Sequence, residues 1–203
     1  MSNTEIISSV KDQSLIEKRR KQMIQGAITL FKKKGFHRTT TREIAKESGF
    51  SIGTLYEYIR TKEDVLFLVV DAIYEEVQSR LMKMVNIEDP SLDHLMKVIE
   101  FYFRVIDDMQ EEIIIMYQEV KSLKKDTREF VLQRERDMVN MLKQVIKTCA
   151  PNVHEEDAEL LANNIFVQGH MWGFRRWAIH KRYTLDEYIE RQLSYIKLII
   201  THL

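Results

Sequence analysis

The chain has a single cysteine, two prolines and six glycines among 203 residues, and it contains no long hydrophobic run. One cysteine, Cys149, excludes an intrachain disulfide and is typical of a reducing compartment. The longest apolar segments, 65–70 and 113–117, are far shorter than the ~18 to 20 residues that a membrane-spanning helix needs. The first residues are polar and lack the apolar stretch of a signal peptide. We therefore expect a soluble cytoplasmic protein with no membrane segment.

The scarcity of proline and glycine, together with abundant Leu, Ile, Met, Lys and Glu, predicts an all-α protein. A polar arm is expected at 1–14, a small helical domain at 15–62 and a larger helical domain at 63–203. The segment from Asn86 to Pro90 is a predicted break, and Thr184 with Glu187 forms a predicted capping box. Nine helices are predicted, near 15–34, 41–48, 52–58, 62–84, 92–106, 110–122, 125–149, 155–180 and 184–202.

A net charge of zero conceals an uneven distribution of charge along the chain. Residues 1–62 hold 13 Lys and Arg against 6 Asp and Glu, a balance of +7, so the remainder carries −7. Such asymmetry favours a nucleic-acid-binding end attached to a body that need not touch DNA. The alternative is that the basic runs at 18–21 and 32–34 are only solvated helix faces.

Residues 40–62, TTREIAKESGFSIGTLYEYIRTK, have the pattern of two short helices joined by a tight turn. Thr41 can cap the first helix, Gly49 ends it, and Ser51 can cap the second. Ile44 and Ala45 are expected to point inward from the first helix, and Leu55 and Ile59 from the second. This is a helix-turn-helix arrangement, whose second helix can enter the major groove of DNA.

The segment resembles the DNA-binding signature of the TetR family of bacterial regulators. The match extends from 17–36, which resembles the family's first helix, through Gly53-Thr54-Leu55-Tyr56-x-Tyr58-x-x-x-Lys62 to Lys62-Glu63-Asp64-Val65-Leu66 at the start of a long fourth helix. The resemblance implies a ligand-responsive transcriptional regulator, most often a repressor that releases its operator when a ligand shifts the fourth helix. An activator and a ligand-independent DNA-binding protein of the same fold remain alternatives.

Nine side chains or backbone positions around this motif are predicted to contact DNA. Thr41 and Arg42 lie at the start of a predicted helix, where they can reach phosphates. The resemblance implies contacts from Tyr56 and Tyr58, a close approach of the backbone at Gly53, and a phosphate contact from Lys62. Tyr58 can instead pack in the small core, Thr41 can be only a cap, and Arg42 and Lys62 can be plain surface charges. The predicted set is Thr41, Arg42, Ser51, Ile52, Gly53, Thr54, Tyr56, Tyr58 and Lys62.

The predicted recognition helix has none of the Arg, Lys, Asn or Gln side chains that make bidentate contacts with guanine or adenine. Thr54 and Ile52 can meet thymine methyl groups. We therefore expect phosphate contacts and DNA shape to supply much of the affinity, which would make binding strongly dependent on salt.

The larger domain is predicted to form a homodimer on a palindromic operator and to enclose a small hydrophobic effector. One helix-turn-helix gives little specificity, which favours a two-fold dimer. The segment 184–202 carries more apolar side chains than one packing face requires, and the resemblance implies that the last two helices pair with a partner chain. Aromatic and methionine side chains suit an apolar ligand, although each can equally be core. The predicted ligand-binding residues are Phe101, Tyr102, Met116, Tyr117, Glu119, Phe166, Gln168, His170 and Trp172.

Arg175, Arg176, His180, Lys181 and Arg182 cluster around Trp177 in the sequence. Three interpretations stay open: favourable charges at a helix C-terminus, salt bridges across a dimer, or a site for an anionic ligand such as the phosphates of an acyl-coenzyme A. The stretch around Trp177 resembles regulators of lipid metabolism in the same family, so acyl-coenzyme A is one candidate effector.

An enzyme is a remote alternative, since the sequence has no recognisable catalytic set. Neither GxSxG, HExxH nor a phosphate-binding loop occurs, and the six histidines are scattered without metal-ligand spacing. We predict no catalytic residues, no metal site and no cofactor.

Overall fold

The computed structural model describes residues 13–85 and 90–203, and all regular structure in these ranges is helical. Except for residues 13, 14 and 90, the predicted arm and the predicted break at 86–90 lie outside the described residues. Ten α-helices occur there: α1 (Gln13–Lys34), α2 (Thr41–Glu47), α3 (Ile52–Tyr58), α4 (Lys62–Met82), α5 (Leu92–Asp108), α6 (Gln110–Glu119), α7 (Lys125–Cys149), α8 (Glu155–Phe174), α9 (Arg176–Ile179) and α10 (Leu185–His202). A 3₁₀ turn, Val120–Ser122, follows α6. The all-α prediction is confirmed, and none of the described helices has the length and apolar character of a membrane span.

Local capping chemistry sets several helix starts. Ser51 accepts a hydrogen bond from the Thr54 amide at the start of α3, as predicted, and the predicted capping box at Thr184 is present. The prediction that Thr41 caps α2 is wrong by one residue. Thr40 is the cap, because its hydroxyl accepts from the Glu43 amide while the Glu43 carboxylate accepts from the Thr40 amide. This reciprocal pair satisfies two amides that the first helical turn leaves without partners.

The predicted single helix over 155–180 is wrong, which raises the number of described helices from the expected nine to ten. Arg175 leaves helical geometry, with φ −103° and ψ 19°, and separates α8 from α9. In a continuous helix the Trp172 carbonyl would bond to the amide of residue 176. Here the Nε2 of His180 lies 3.1 Å from that carbonyl oxygen, so a side chain from beyond the break satisfies it.

The described residues form two compact units. In the first, which runs to Tyr74 and includes Ile114–Arg134, α1 packs on α2 and α3, and α2 packs on α3. The core of that three-helix cluster contains Met23, Ala27, Phe31, Phe36, Ile44 and Leu55. In the second unit, Glu75–Ile113 with Glu135–Leu203, α5 packs against both α8 and α10. The chain passes between units within α4, α6 and α7.

Candidate nucleic-acid interface and ligand cavity

The turn between α2 and α3 fixes which faces of the two helices point outward. Gly49 has φ +79°, a left-handed conformation that glycine adopts at little cost. The Phe50 amide donates to the Ala45 carbonyl and closes the turn. Ile44, Ala45 and Leu55 are then buried, as predicted. The opposite sides of both helices are left at the surface of the three-helix cluster.

A hydrogen bond joins the exposed sides of the two helices. The Thr41 and Tyr56 hydroxyls lie 3.1 Å apart, and either can donate. Tyr56 is 52% exposed, and Arg42 at the start of α2 is exposed as well. The pairing holds the Tyr56 ring next to the N-terminus of α2, where the helix dipole favours an anion.

Most of the predicted DNA-contacting positions lie in this neighbourhood. Ser51 and Gly53 are exposed, whereas Ile52 and Thr54 are partly buried. The Ser51 hydroxyl accepts from the Thr54 amide at 3.0 Å and also lies 3.0 Å from the Thr54 hydroxyl. The start of α3 is therefore a small polar surface with short side chains, which allows close approach of a large partner to the backbone.

Of the two interpretations of Tyr58, a DNA contact and packing in the small core, the structure supports packing in the core. Its side chain is 2% exposed and belongs to the core. The reason is helical spacing, since Tyr58 follows Leu55 by three residues and so lies on the same inward face of α3.

Lys62 has an internal partner that the sequence did not indicate. Its Nζ donates to the Phe36 carbonyl at 3.0 Å and to the His37 carbonyl at 3.4 Å, and lies 4.2 Å from the centre of the Phe36 ring. The side chain is partly buried. Lys62 thus ties the loop after α1 to the start of α4.

Glu43 is a further residue that the sequence analysis did not single out, although the Thr40-x-x-Glu43 spacing is a recognisable capping signal. Lys34 Nζ donates to its carboxylate at 2.6 Å. That bond, with those from the Thr40 amide and hydroxyl, lowers the pKa of Glu43 to about 2. The carboxylate is therefore ionised at any pH near neutrality, and the start of α2 keeps its cap.

The second unit contains a small apolar cavity of about 10 Å³. A space of this size is near the minimum that holds one water molecule. Two predicted ligand-binding residues, Tyr102 and Phe166, line it. Sequence reasoning missed the aliphatic lining residues because nothing distinguishes them from ordinary core. The full lining is Leu81, Val85, Val98, Tyr102, Met138, Met141, Leu142, Val145 and Phe166.

Four further predicted ligand residues belong to the second unit but do not line the cavity. His170 is buried with its ring 4.3 Å from that of Phe166, and burial lowers its pKa to about 4. Trp172 is also buried, and its Nε1 donates to Asp107 Oδ1 at 2.5 Å. Gln168 accepts from the Tyr188 hydroxyl through its backbone carbonyl, at 2.8 Å, and its side-chain oxygen Oε1 is buried without a hydrogen-bond partner. Phe101 is partly buried.

The other three predicted ligand residues, Met116, Tyr117 and Glu119, belong to the first unit. Met116 is buried and Tyr117 is 37% exposed. Glu119 Oε2 lies 3.3 Å from His37 Nε2 and forms an ion pair when the imidazole is protonated. The structure thus connects Glu119 to the loop after α1, in the same unit as the helix-turn-helix.

The basic cluster after α8 is exposed at Arg175, Arg176, Lys181 and Arg182. The Arg175 guanidinium lies 5.0 Å from the centre of the Trp177 ring, which is 65% exposed. Cation and aromatic face are therefore paired at the surface of the second unit, an arrangement worth on the order of 0.5–1 kcal/mol at an exposed site.

Exposed apolar side chains concentrate on α8 and α10. Leu160 and Val167 lie on α8, and Tyr195, Leu198 and Ile199 lie on α10. Leu198 is 58% exposed in the single chain. Apolar side chains repeated along two helices are typical of a surface that packs against a partner.

In the described part of the chain, no three His, Cys, Asp or Glu side chains are grouped so that they could hold a metal ion.

Two family models match the chain. The model for bacterial regulatory proteins of the tetR family matches residues 23–69, and the model for the tetracyclin repressor-like C-terminal domain matches 88–172. These ranges include both the helix-turn-helix and Tyr102 and Phe166 of the cavity.

Curated relatives and solved structures of the same kind are similar over most of the chain. The HTH-type transcriptional regulator HbdR of Aromatoleum sp. (strain CIB) is 29% identical, over 95% of this chain and 86% of the relative. The HTH-type transcriptional repressor KstR2 of Mycolicibacterium smegmatis is 24% identical, over 78% of each. A tetR-family regulatory protein from Rhodococcus RHA1 has a TM-score of 0.76 at 22% identity, covering 90% of this chain and 96% of its own. AibR, solved with isovaleryl coenzyme A and operator DNA, has a TM-score of 0.69 at 18% identity, covering 87% and 97%.

Proposed function

Because this chain belongs to the TetR family of bacterial transcriptional regulators and is not an enzyme, we propose that it is a repressor that releases a palindromic operator when a small hydrophobic effector binds. The observation that carries the proposal is the exposed surface formed by α2 and α3, where Tyr56 is held against Thr41 beside the exposed Arg42. A hydroxyl, a guanidinium and helix amides together are the groups that bind DNA phosphates.

The proposed DNA contacts divide into positioning groups and groups that reach bases. Thr41, Arg42 and Tyr56 bind phosphates, with Lys62 at the edge of the cluster. The short surface at Ser51, Gly53 and Thr54, together with Ile52, enters the major groove. Tyr58 is left out of this set, since it is buried. With no bidentate base-reading side chain on α3, the shape and flexibility of the operator contribute to sequence preference.

A homodimer through α8 and α10 presents two copies of this surface to the two half-sites. Apolar side chains that are exposed in the single chain, Leu160 and Leu198 among them, support the choice of these helices. An isologous interface of this kind matches the two-fold symmetry of a palindromic operator.

The proposed effector places an apolar group in the cavity of the second unit, and acyl-coenzyme A is the candidate class. The lining has no charged side chain, and the exposed Arg175, Arg176, Lys181 and Arg182 can neutralise phosphates of a nucleotide-bearing ligand. The structure of AibR in complex with isovaleryl coenzyme A and operator DNA supports this class. Coupling between the two ligands is expected to be reciprocal and typically worth ~1 to 3 kcal/mol.

A footprint on the DNA upstream of the protein's own gene tests the proposal. At low salt we expect protection of one short palindrome, and protection that is lost when an acyl-coenzyme A thioester is added. Protection spread along any DNA would favour a ligand-independent DNA-binding protein. If a thermal-shift series of acyl-coenzyme A thioesters leaves the melting temperature unchanged, this effector class is wrong while the operator result stands.

Replacing Gly53 by Ala is expected to stabilise the fold and weaken DNA binding. A Cβ at this position would lie 3.6 Å from Ser51 Oγ, an ordinary contact, so helix propensity raises the free energy of unfolding by about 0.5–1 kcal/mol. Operator affinity should fall several-fold, because the added methyl group lies where DNA approaches the backbone. Chemical denaturation and a DNA titration of the same preparation measure both effects, and an unchanged operator affinity would contradict a close approach at Gly53.

A further inference from the structure

Tyr102 of α5 occupies space beside the cavity of the second unit. Its ring lines the cavity and stacks on Phe166, with ring centres 6.1 Å apart and planes 14° from parallel. Its hydroxyl donates to the Phe166 carbonyl of α8 at 2.9 Å. The free space that remains, about 10 Å³, is far below the ~150 Å³ of a cavity that binds benzene. A ligand larger than water therefore needs a side chain to move.

The Tyr102 ring occupies the space that is left because Gly169 has no side chain. A Cβ on residue 169 would lie 2.6 Å from Tyr102 Cε1 and 3.1 Å from its hydroxyl oxygen. The ring edge is thus in direct contact with the backbone of α8, where only glycine leaves room. If the Tyr102 ring moves away from α8, it leaves space for a group about as large as benzene.

When the hydrogen bond between Tyr102 and α8 breaks, the acceptor carbonyl keeps another hydrogen bond, whereas the Tyr102 hydroxyl loses this acceptor. Inside an α-helix the Phe166 carbonyl also accepts the amide of residue 170, so it keeps a partner when Tyr102 leaves. The Tyr102 hydroxyl, on a side chain only 2% exposed, needs a new acceptor, because a buried donor without one costs stability. A ligand that carries a carbonyl oxygen can supply it.

The surroundings of the cavity disfavour a charged ligand. Its lining is hydrocarbon and thioether apart from the Tyr102 hydroxyl. His170, which packs on Phe166, is neutral at pH 7 because burial lowers its pKa to about 4. A carboxylate buried here would therefore meet no cation from the lining or from His170. Met138 and Met141 on the α7 side can adjust to ligands of different shape.

We infer that Tyr102 is the gate of this cavity and selects an uncharged apolar group bearing a carbonyl oxygen, which replaces Phe166 as acceptor for the Tyr102 hydroxyl. This inference rests on the proposed ligand role of the cavity. It adds the residue that determines specificity, Tyr102, and the chemistry of the end of the effector that is buried in the cavity. An acyl thioester has that chemistry, because its apolar chain ends in an uncharged carbonyl.

Three monosubstituted benzenes of similar size test the gate by calorimetric or NMR titration of the full chain without DNA. Acetophenone has a carbonyl acceptor, ethylbenzene lacks one, and benzoate is charged. The wild-type protein should bind acetophenone about fivefold more tightly than ethylbenzene and should bind benzoate most weakly. In Tyr102→Phe no hydroxyl loses a partner, so ethylbenzene should bind about fivefold more tightly than to the wild type, and the preference for acetophenone should disappear.

Tyr188→Phe is the matched control. The Tyr188 hydroxyl also donates to a backbone carbonyl of α8, that of Gln168, at 2.8 Å, but Tyr188 does not line the cavity. This variant should keep the wild-type order of affinities. The gate is overturned if Tyr102→Phe retains the acetophenone preference, if Tyr188→Phe loses it equally, or if none of the probes binds either protein. If the probes bind as expected but never change operator affinity, the gate stands and the proposed effector role of the cavity fails.

Discussion

Arg42→Glu is expected to lower operator affinity about a hundredfold. The side chain is exposed at the start of α2, beside the linked Thr41 and Tyr56 hydroxyls. Each subunit of a dimer loses one phosphate contact and gains a repelled charge, roughly tenfold per half-site. The slope of log affinity against log salt should become shallower by about 2. A fluorescence-anisotropy titration at several salt concentrations gives both values.

Arg128→Glu provides the control for this experiment. Arg128 is an exposed arginine of α7 in the same unit, outside the helix-turn-helix, and its reversal changes the net charge equally. Long-range electrostatics alone would make the two variants similar, with a small loss in each. If Arg42→Glu and Arg128→Glu weaken binding to the same degree, α2 does not contact phosphate and the proposed surface is wrong.

Leu198→Glu is expected to raise the dimer dissociation constant by at least about a thousandfold and to abolish operator binding at nanomolar protein. Leu198 is exposed on α10 in the single chain, next to the exposed Tyr195 and Ile199. In an isologous interface the substitution occurs twice, and each carboxylate would be buried without a partner. Each monomer then contacts DNA through one helix-turn-helix, whereas the dimer contacts it through two. Analytical ultracentrifugation and a DNA titration measure the two effects.

Met82→Glu is the matched variant, because Met82 is an equally exposed apolar side chain, 56% against 58%, at the end of α4. It should leave the dimer and operator binding intact. Both variants should keep the helical circular-dichroism spectrum, since neither side chain is buried in the chain itself. A dimer that survives Leu198→Glu, or that is lost equally in Met82→Glu, would move the interface away from α10.

The helix-turn-helix could be predicted from the sequence because its determinants are local. A glycine in left-handed conformation at Gly49, a hydroxyl cap at Ser51 and apolar residues three and four apart each act over about one helical turn. The same local rules gave Thr184 and its capping box. At the start of α2 these rules placed the cap one residue too late, at Thr41 instead of Thr40, because two neighbouring threonines offer the same hydroxyl.

Contacts between distant segments could not be predicted in this way. Glu119 reaches His37, Lys62 reaches the Phe36 and His37 carbonyls, and each partner lies many residues away. Nothing in a run of apolar residues tells a cavity lining from solid core. Of the nine predicted ligand-binding residues, Tyr102 and Phe166 line the cavity and the other seven lie elsewhere.

The sequence by itself determined the all-α fold and the position of the helix-turn-helix, because capping, turn and periodicity signals are written in neighbouring residues, and the resemblance of residues 40–62 indicated the family. Only the tertiary structure decided that Tyr58 is buried, that the helix breaks at Arg175, and that Tyr102 lies against Gly169. These outcomes depend on which faces meet when helices pack. Close packing leaves room for a ring only where the opposite helix has no side chain.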